Sequence, residues 1–364
     1  MSSSNIIVHF VVTSQAFTAG YINFMKLRMP EWEHHFFVMT TPYEIKPVNS
    51  ENFYRYSKVS ELSEPRYHKL LAEADKIIIS GAWDVYLFLA LSKFVRKTYL
   101  QFWGGDFYRY KNRKMPGLLH PLRSLRWIAG RCLRHRFIKN SAGTINLIAR
   151  DIDEMVKVFP NNTKHFVAPM PDDVMEHHDF DGLVQRPKEG STCRIIVGNS
   201  AAPNNNHAEI FEKLRHLKDE DIEIVSPLSY GSEQGYDEAI AKLGHEIFGD
   251  KFRPLFERMD KDEYVEFLAT CDAGAFNYNQ QAALGNIWIL MRLGRKIYLR
   301  ENTAMWDDFK SKGACMYSVS ELDDADLESL ADMPEDGRKA NMSLAAKRIA
   351  GASAVEEWKK VLND

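Results

Sequence analysis

The sequence has few cysteines, and none of them stands in a metal-binding spacing. Cys132, Cys193, Cys271 and Cys315 are spread over 364 residues and form no C-x-x-C pair. Such isolated thiols are typical of a reducing compartment, and they disfavour a disulfide scaffold or a cysteine-based zinc site. We therefore expect reduced, mostly buried thiols and no metal site.

Long apolar runs are also missing. No stretch approaches the roughly 18 apolar residues that span a bilayer, and the longest candidate, residues 85–91, is short enough for a core helix. The first residues lack the basic segment and the length of a signal peptide. We expect a cytosolic protein whose contact with a membrane, if any, is peripheral.

Two common nucleotide-binding motifs are absent. No G-x-G-x-x-G follows a predicted strand, which disfavours a dehydrogenase, and no G-x-x-x-x-G-K-[ST] supports P-loop chemistry.

Charge is not evenly distributed along the chain. The formal net charge of the whole sequence is only −3. Residues 1–150, however, carry 22 Lys and Arg against 10 Asp and Glu, whereas the remainder carries 25 against 40. Two regions of opposite charge indicate two domains that face different partners.

Short β-rich runs alternate with helical patterns along both halves of the chain. This alternation predicts an α/β protein in which two Rossmann-like doubly wound domains face a cleft, an architecture that includes the GT-B type. We predict an N-terminal domain over residues 1–172, a polar linker over 173–191, a C-terminal domain over 192–350 and a C-terminal helix over 351–364. The architecture suits nucleotide-sugar glycosyltransferases, and also two-domain epimerases or binding proteins.

One candidate binding loop follows the first predicted strand of the acidic domain. It contains Gly198, Asn199 and Ser200, and Asn205 and His207 come next, at the start of a helix. Glycine allows close approach of the backbone, and a helix N-terminus attracts anions. The loop could hold a phosphate or pyrophosphate, or its polar side chains could merely cap the helix. Its position on the first strand favours a donor site.

Two further loops of the acidic domain follow predicted strands. Gln281, Gly285 and Asn286 form a small, polar turn into an apolar helix, which could bind a negative group or be a plain connection. Glu301 and Asn302 follow the next strand, where Glu301 could contact a sugar hydroxyl or form a surface salt bridge.

The basic domain offers a carboxylate beside two glycines. Trp103, Gly104, Gly105 and Asp106 follow a predicted strand. A carboxylate there could be the general base that deprotonates an acceptor hydroxyl. Asp106 could equally cap the next turn, as Asp commonly does after Gly.

A strongly basic stretch runs from residue 109 to 139, with ten Lys and Arg and no acid. Anionic lipid attracts such patches, and Trp favours the interface. Nucleic acid would use the same charges, but we favour a membrane surface or an acceptor pyrophosphate, with no nucleic-acid partner. The candidate contact residues, with Trp103, are Arg109, Arg113, Arg123, Arg126, Trp127, Arg131, Arg134 and Arg136.

Two patterns resemble metal sites. Asp151 and Asp153 match the D-x-D of another glycosyltransferase fold, but they open a predicted helix, so capping and dipole compensation are the better interpretation. The doublets at 34–35 and 177–178 lack matched ligand spacing and are interpreted as surface or core histidines.

Segments over about residues 75–310 resemble the bacterial TDP-N-acetylfucosamine:lipid II N-acetylfucosaminyltransferases, also called 4-α-L-fucosyltransferases, of glycosyltransferase family 56. The matching segments are residues 103–106, 120–123, 197–200, Asn205, His207, Tyr264, 271–272, Gly274, Gln281, Gly285 and 300–302.

This resemblance implies a GT-B, metal-independent, inverting transferase. It implies a dTDP-4-acetamido-4,6-dideoxy-galactose donor and an undecaprenyl-pyrophosphate-linked acceptor. The reaction would take place at the cytoplasmic face of the inner membrane, in enterobacterial common antigen assembly, without a cofactor. The alternatives are a GT-B transferase that uses another nucleotide sugar on a lipopolysaccharide or capsule intermediate, and a membrane-surface binding module without catalysis.

Overall fold

The computed structural model describes residues 5–12, 17–41, 45–81, 85–112, 121–170, 178–187, 190–349 and 351–364. It divides into two compact units. The first unit contains residues 1–173 together with 351–364, and the second contains residues 174–350.

The first unit is built on a seven-stranded parallel sheet with the strand order β3-β2-β1-β4-β5-β6-β7. Its strands are β1 (Ile6–Val11), β2 (Glu33–Met39), β3 (Phe53–Tyr56), β4 (Lys76–Ser80), β5 (Thr98–Phe102), β6 (Gly143–Asn146) and β7 (Lys164–Val167). Its helices are α1 (Thr18–Arg28), α2 (Pro65–Glu73), α3 (Tyr86–Ala90), α4 (Gly105–Asn112), α5 (Pro121–Asn140) and α6 (Arg150–Val158).

Both faces of this sheet are buried, as a doubly wound fold requires. Along β1, Val8 and Phe10 pack into the core on one face, and Ile7 and Val11 pack into the core on the other. Such strands read as continuous apolar runs because helices cover both sides of the sheet.

The last helix of the chain, Ala352–Leu362, belongs to the first unit. Trp358 is fully buried there, its indole N–H donates to the Pro169 carbonyl at 2.9 Å, and its ring meets Tyr21 edge-on. Val361 and Leu362 are buried beside it, so the predicted C-terminal helix packs through an apolar face.

The second unit has a six-stranded parallel sheet with the order β10-β9-β8-β11-β12-β13. Its strands are β8 (Cys193–Val197), β9 (Ile222–Pro227), β10 (Phe252–Leu255), β11 (Ala273–Phe276), β12 (Lys296–Leu299) and β13 (Tyr317–Ser318). Its helices are α7 (Phe180–Gln185), α8 (His207–Leu214), α9 (Tyr236–Phe248), α10 (Lys261–Ala269), α11 (Leu284–Arg292), α12 (Ala304–Ser311), α13 (Leu327–Ala331) and α14 (Glu335–Ile349). The C-terminal helix of the first unit, Ala352–Leu362, is named α15. The predicted pair of doubly wound domains is confirmed.

Some elements of the structure are not predicted from the sequence, and each case has a physical reason. The edge strand β10 contains Pro254, which a strand tolerates at an edge but which reads as a strand breaker. Helix α4 begins with Gly105 and is rich in aromatic residues, both unfavourable to helix. Helix α14 buries Asn341, whose amide bonds both the N–H and the carbonyl of Cys315, so a polar residue occupies a core position and hides the apolar period.

Candidate functional site

The two principal candidate loops of the second unit follow neighbouring strands, β8 and β11. The chain leaves β8 toward β9 on one side, and β11 lies on the other side, so the strand order reverses between β8 and β11. The Gly198 N–H donates to the Ala275 carbonyl at 3.0 Å, which ties the first loop to β11. Open α/β sheets bind ligands at the carboxyl ends of the strands at such a reversal.

Gly198 is required by its surroundings. Its φ is +71°, and a Cβ there would lie 2.5 Å from Asn205 Oδ1 and 2.5 Å from His207 Nε2. Any side chain would therefore displace two buried polar groups. The glycine lets the loop turn tightly over the start of α8.

Asn205 holds the loop in shape from inside. Its Oδ1 accepts the Asn199 N–H at 2.9 Å, and its Nδ2 donates to Ser200 Oγ at 3.1 Å. The Tyr278 hydroxyl bonds both the Asn199 and the Asn205 side chains, which links the loop to the end of β11. Asn205 and Ser200 are buried, so they position the loop backbone instead of presenting their side chains to solvent.

His207, the first residue of α8, is fully buried. Its Nδ1 lies 3.3 Å from the Tyr236 hydroxyl, and its Nε2 has no hydrogen-bond partner within the described part of the chain. Burial lowers the pKa of His207 to about 4, so the ring is neutral near pH 7.

The turn after β11 contains further buried polar atoms that the described residues do not satisfy. They are Gln281 Oε1 and both amide atoms of Asn277. Leaving such groups unpaired costs about 1–3 kcal/mol each, so they point to a polar ligand. Asn277 is not among the residues predicted from the sequence, although its place directly after a buried strand at the reversal point is a usable signal.

Helix α11 begins beside these groups. Ala283, the residue before it, is left-handed with φ +55° and offers no side-chain cap. The first-turn N–H groups of Leu284, Gly285 and Asn286 have no acceptor within the helix, and the helix dipole adds positive potential there. Gly285 is exposed, and the Asn286 amide donates to the Tyr264 hydroxyl at 2.8 Å. This helix start can receive a negative group.

The third loop follows β12 at the same edge of the sheet. Arg300 forms the salt bridge of this loop, with Glu209 of α8. Glu301 is exposed, and Asn302 takes a left-handed conformation with φ +57°. Among the described residues the salt bridge at this loop involves Arg300, and contact of Glu301 with a sugar hydroxyl stays a prediction.

In the first unit, Asp106 lies in the first turn of α4 and is 1% exposed. Its Oδ2 accepts the Trp103 N–H, so it does stabilise the turn. Its Oδ1 accepts no hydrogen bond from the described residues and lies 3.8 Å from Arg134 Nη1. Burial raises the pKa of Asp106 to about 7, while Arg134, the Trp103 N–H and Arg109 act to lower it.

Trp103 is half-buried at the end of β5. Its indole N–H donates to Ser80 Oγ at 3.3 Å, and its ring meets Phe17 edge-on at 5.5 Å. Its ring therefore packs at the carboxyl ends of β4 and β5.

The basic stretch divides into inward and outward residues. Arg134 was predicted to contact the membrane or acceptor, and this is wrong, because it is buried against Asp106 and lies over the Tyr86 ring. Trp127 is half-buried against Tyr110, and Arg131 lies over Trp127. The remaining predicted residues Arg109, Arg123, Arg126 and Arg136 are exposed, while Arg113 lies outside the described residues.

The acidic pair at the start of α6 has local partners. Asp151 is buried and accepts the Tyr108 hydroxyl at 2.8 Å, and Asp153 pairs with Arg150. The helix begins after Ala149, so the expected capping by Asp151 is wrong, although both acids lie in the first turn.

Neither a metal cluster nor a membrane span is found in the described part of the chain. It contains no group of three or more His, Cys, Asp or Glu placed to hold a metal ion. None of its helices has the length and apolar character needed to cross a bilayer.

Comparison with solved structures defines the fold. The chain is similar to Anabaena HepE in complex with UDP and glucose (TM-score 0.69, 11% identity, covering 98% of this chain and 99% of that one). It is also similar to a glycosyltransferase from Rickettsia africae (0.61, 12%, 98% and 97%) and to an E. coli structure bound with UDP-2-fluoro glucose (0.63, 11%, 98% and 98%). The fold is that of GT-B glycosyltransferases.

The sequence signature of one family, described as 4-alpha-L-fucosyltransferase glycosyl transferase group 56, matches residues 21–362. The chain belongs to this family, and it is a hexosyl-transferring glycosyltransferase.

Proposed function

We propose that the chain transfers 4-acetamido-4,6-dideoxy-galactose from its dTDP derivative to an undecaprenyl-pyrophosphate-linked saccharide. The reaction is inverting and independent of metal, and it serves enterobacterial common antigen-type polysaccharide synthesis. It takes place at the cytoplasmic face of the inner membrane, where the enzyme is a peripheral protein. Membership of the family, together with the loops at the ends of β8 and β11, supports this proposal.

The observation that carries the donor site is the set of unsatisfied buried polar atoms at the reversal point of the second sheet. His207 Nε2, Gln281 Oε1 and the Asn277 amide lie within the described loops without hydrogen bonds. A nucleotide sugar offers the donors and acceptors that would satisfy them. Its pyrophosphate would be held at the Gly198 loop and at the first turn of α11, where N–H groups and the helix dipole supply positive potential.

This arrangement explains how a C-terminal domain with an excess of acidic residues could bind an anionic nucleotide. Clustered Lys and Arg are not needed when neutral N–H groups hold the phosphates. The same groups would stabilise the charge that grows on dTDP as it leaves, which is the part that a divalent cation plays in other transferases.

Asp106 is the proposed general base. It would accept the proton of the acceptor hydroxyl while that oxygen bonds to the anomeric carbon. The bond from the anomeric carbon to the β-phosphate oxygen breaks, and its electron pair leaves with dTDP. A single displacement from the opposite face inverts the anomeric configuration. A carboxyl pKa of about 7 suits proton transfer near neutral pH.

A nucleotide comparison tests the donor proposal. We expect dTDP to raise the unfolding midpoint of the protein more than UDP or GDP at equal concentration. A ligand that binds the folded protein more tightly stabilises it more at the same concentration. A larger shift with UDP or GDP would support a different sugar nucleotide. No shift with any of the three would contradict a nucleotide site.

A further inference from the structure

Helix α5 presents an apolar surface to solvent on the side opposite the one that packs into the first unit. Leu122, Leu125 and Ile128 are 76%, 63% and 43% exposed. They follow one another at three-residue intervals and therefore lie along one face of the helix. Apolar clusters of this kind on a soluble surface mark interaction sites more often than chance exposure does.

The opposite face of α5 is firmly anchored. Phe137 and Ile138 are fully buried in the core of the first unit, and Arg134 is held against Asp106. The outward aliphatic residues therefore lie on a helix that is packed into the core through its other face. Burial within the fold does not account for them.

Exposed charge on α5 has one sign only. The helix contains six Lys and Arg and no Asp or Glu. Two of these cations face inward or lie half-buried, Arg134 against Asp106 and Arg131 over Trp127. The exposed ones are Arg123, Arg126, Arg136 and Lys139.

We propose that the outward face of α5 inserts Leu122, Leu125 and Ile128 into the interface of an anionic bilayer, while the four exposed cations contact its headgroups. The choice of a bilayer rests on the proposed function, whose acceptor is lipid-linked. Helices with an apolar face and flanking Lys and Arg bind lipid surfaces in this way. The inference goes beyond a purely electrostatic patch, because aliphatic insertion supplies part of the affinity.

A second copy of the chain fits this face less well. Two α5 helices packed through the same face would bring arginine toward arginine with no acid to compensate, and such like-charge contacts are costly. Nucleic acid would satisfy the cations but would leave three large aliphatic side chains in water. An anionic lipid surface satisfies both features.

Vesicle sedimentation of the full chain tests the proposal. We expect binding to vesicles of phosphatidylcholine with about one third phosphatidylglycerol, and weaker binding to pure phosphatidylcholine, since each surface cation adds about fivefold in affinity. The triple variant Leu122→Ser, Leu125→Ser, Ile128→Ser should lose about a hundredfold or more in affinity. The quadruple variant Arg123→Gln, Arg126→Gln, Arg136→Gln, Lys139→Gln should lose its preference for anionic vesicles.

A matched control removes equal apolar exposure elsewhere in the first unit. Leu27, Val48 and Leu91 are 61%, 52% and 71% exposed. Their triple change to Ser should leave vesicle binding within about twofold of wild type. The unfolding midpoints of both triple variants show whether each still folds.

Three results would overturn the proposal. These are absence of vesicle binding by the wild type, equal binding by the α5 triple variant, and a concentration-dependent dimer that this variant abolishes. Vesicle binding needs neither donor nor acceptor, so a wrong sugar assignment would leave these results unchanged. Conversely, correct transfer of the sugar with no vesicle binding would overturn the membrane inference and leave the sugar assignment intact.

Discussion

Arg134 Nη1 donates a hydrogen bond of 3.0 Å to the main-chain carbonyl of Asp106 and lies 3.8 Å from Oδ1 of the same side chain. Both groups are buried. The arginine therefore partly offsets the cost of ionising the carboxyl, which burial otherwise raises. It also fixes the first turn of α4 to α5. Arg134 is thus a positioning residue for the proposed base.

Changing Asp106→Asn separates the catalytic role from the structural one. An Asn oxygen can still accept the Trp103 N–H, so the turn should persist and the unfolding midpoint should stay within a few degrees of wild type. Loss of the base should lower kcat by about 10²–10⁴-fold. Steady-state kinetics with saturating donor and a dTDP affinity measurement check this. A kcat within threefold of wild type would show that Asp106 only stabilises the turn.

Changing Arg134→Gln should move the pH dependence of the reaction. In the wild type, kcat should fall as pH decreases through about 7, because the base becomes protonated. Without the cation the pKa of Asp106 rises further. The acidic limb of the kcat–pH profile should therefore shift upward by about one pH unit. Arg150→Gln, which removes an exposed arginine of the same unit, is the control. An unchanged limb in Arg134→Gln would refute the electrostatic link.

Stability should depend on pH through a buried histidine chain in the first unit. His9 lies 2.9 Å from both Tyr21 Oη and His34 Nδ1, and His34 Nε2 donates to the Met29 carbonyl. Burial lowers the pKa of both rings, that of His34 to about 4. These rings are neutral in the fold but charge when it unfolds, so their stabilisation is complete above about pH 6.5 and is lost as pH falls toward 4.

For His34 alone this loss is about 3 kcal/mol, and the lowered pKa of His9 adds to it. The raised pKa of Asp106 acts in the opposite direction by an amount similar to that of His34. Urea unfolding at pH 5 and pH 7 measures the sum in the wild type. From pH 7 to pH 5, the free energy of unfolding of His34→Gln should fall less, or rise more, than that of the wild type. An equal change in both proteins would contradict this assignment.

Changing Gly198→Ala should damage the loop at the end of β8. The new Cβ would meet Asn205 and His207 at 2.5 Å, in addition to the strain of φ +71°. We expect about 1–3 kcal/mol of destabilisation and a donor KM raised at least about tenfold. Gly313→Ala is the matched control, because Gly313 has φ +79° but no heavy atom within 4 Å. Equal effects of the two changes would mean that φ strain alone matters.

The sequence predicted the fold well because the buried strands are continuous and the intervening helices are periodic. It also located the loops around Gly198 and Gln281, since glycine and small polar residues at strand ends follow general rules of α/β sheets. Helix α14 escaped because buried Asn341 replaces an apolar residue in its core face. Such a substitution is visible only when its partner, Cys315, is placed against it.

The direction of individual side chains on α5 was beyond the sequence. Composition alone treats Arg134 and Arg136 alike, yet one is buried and the other exposed. The difference depends on Asp106, which is 28 residues away from Arg134 along the chain and meets it only in the fold. Asn277 was missed for a similar reason, because its unpaired amide is defined by the loops around it.

The central claim is tested most directly by a transfer reaction with purified protein, dTDP-4-acetamido-4,6-dideoxy-galactose and the undecaprenyl-pyrophosphate-linked saccharide, with and without EDTA. Mass spectrometry and the anomeric proton coupling of the product give the result. We expect a saccharide lengthened by one acetamido-dideoxyhexose, with the anomeric configuration inverted relative to the donor and a rate unaffected by EDTA. Transfer only from a UDP- or GDP-linked sugar, or retention of configuration, would contradict it.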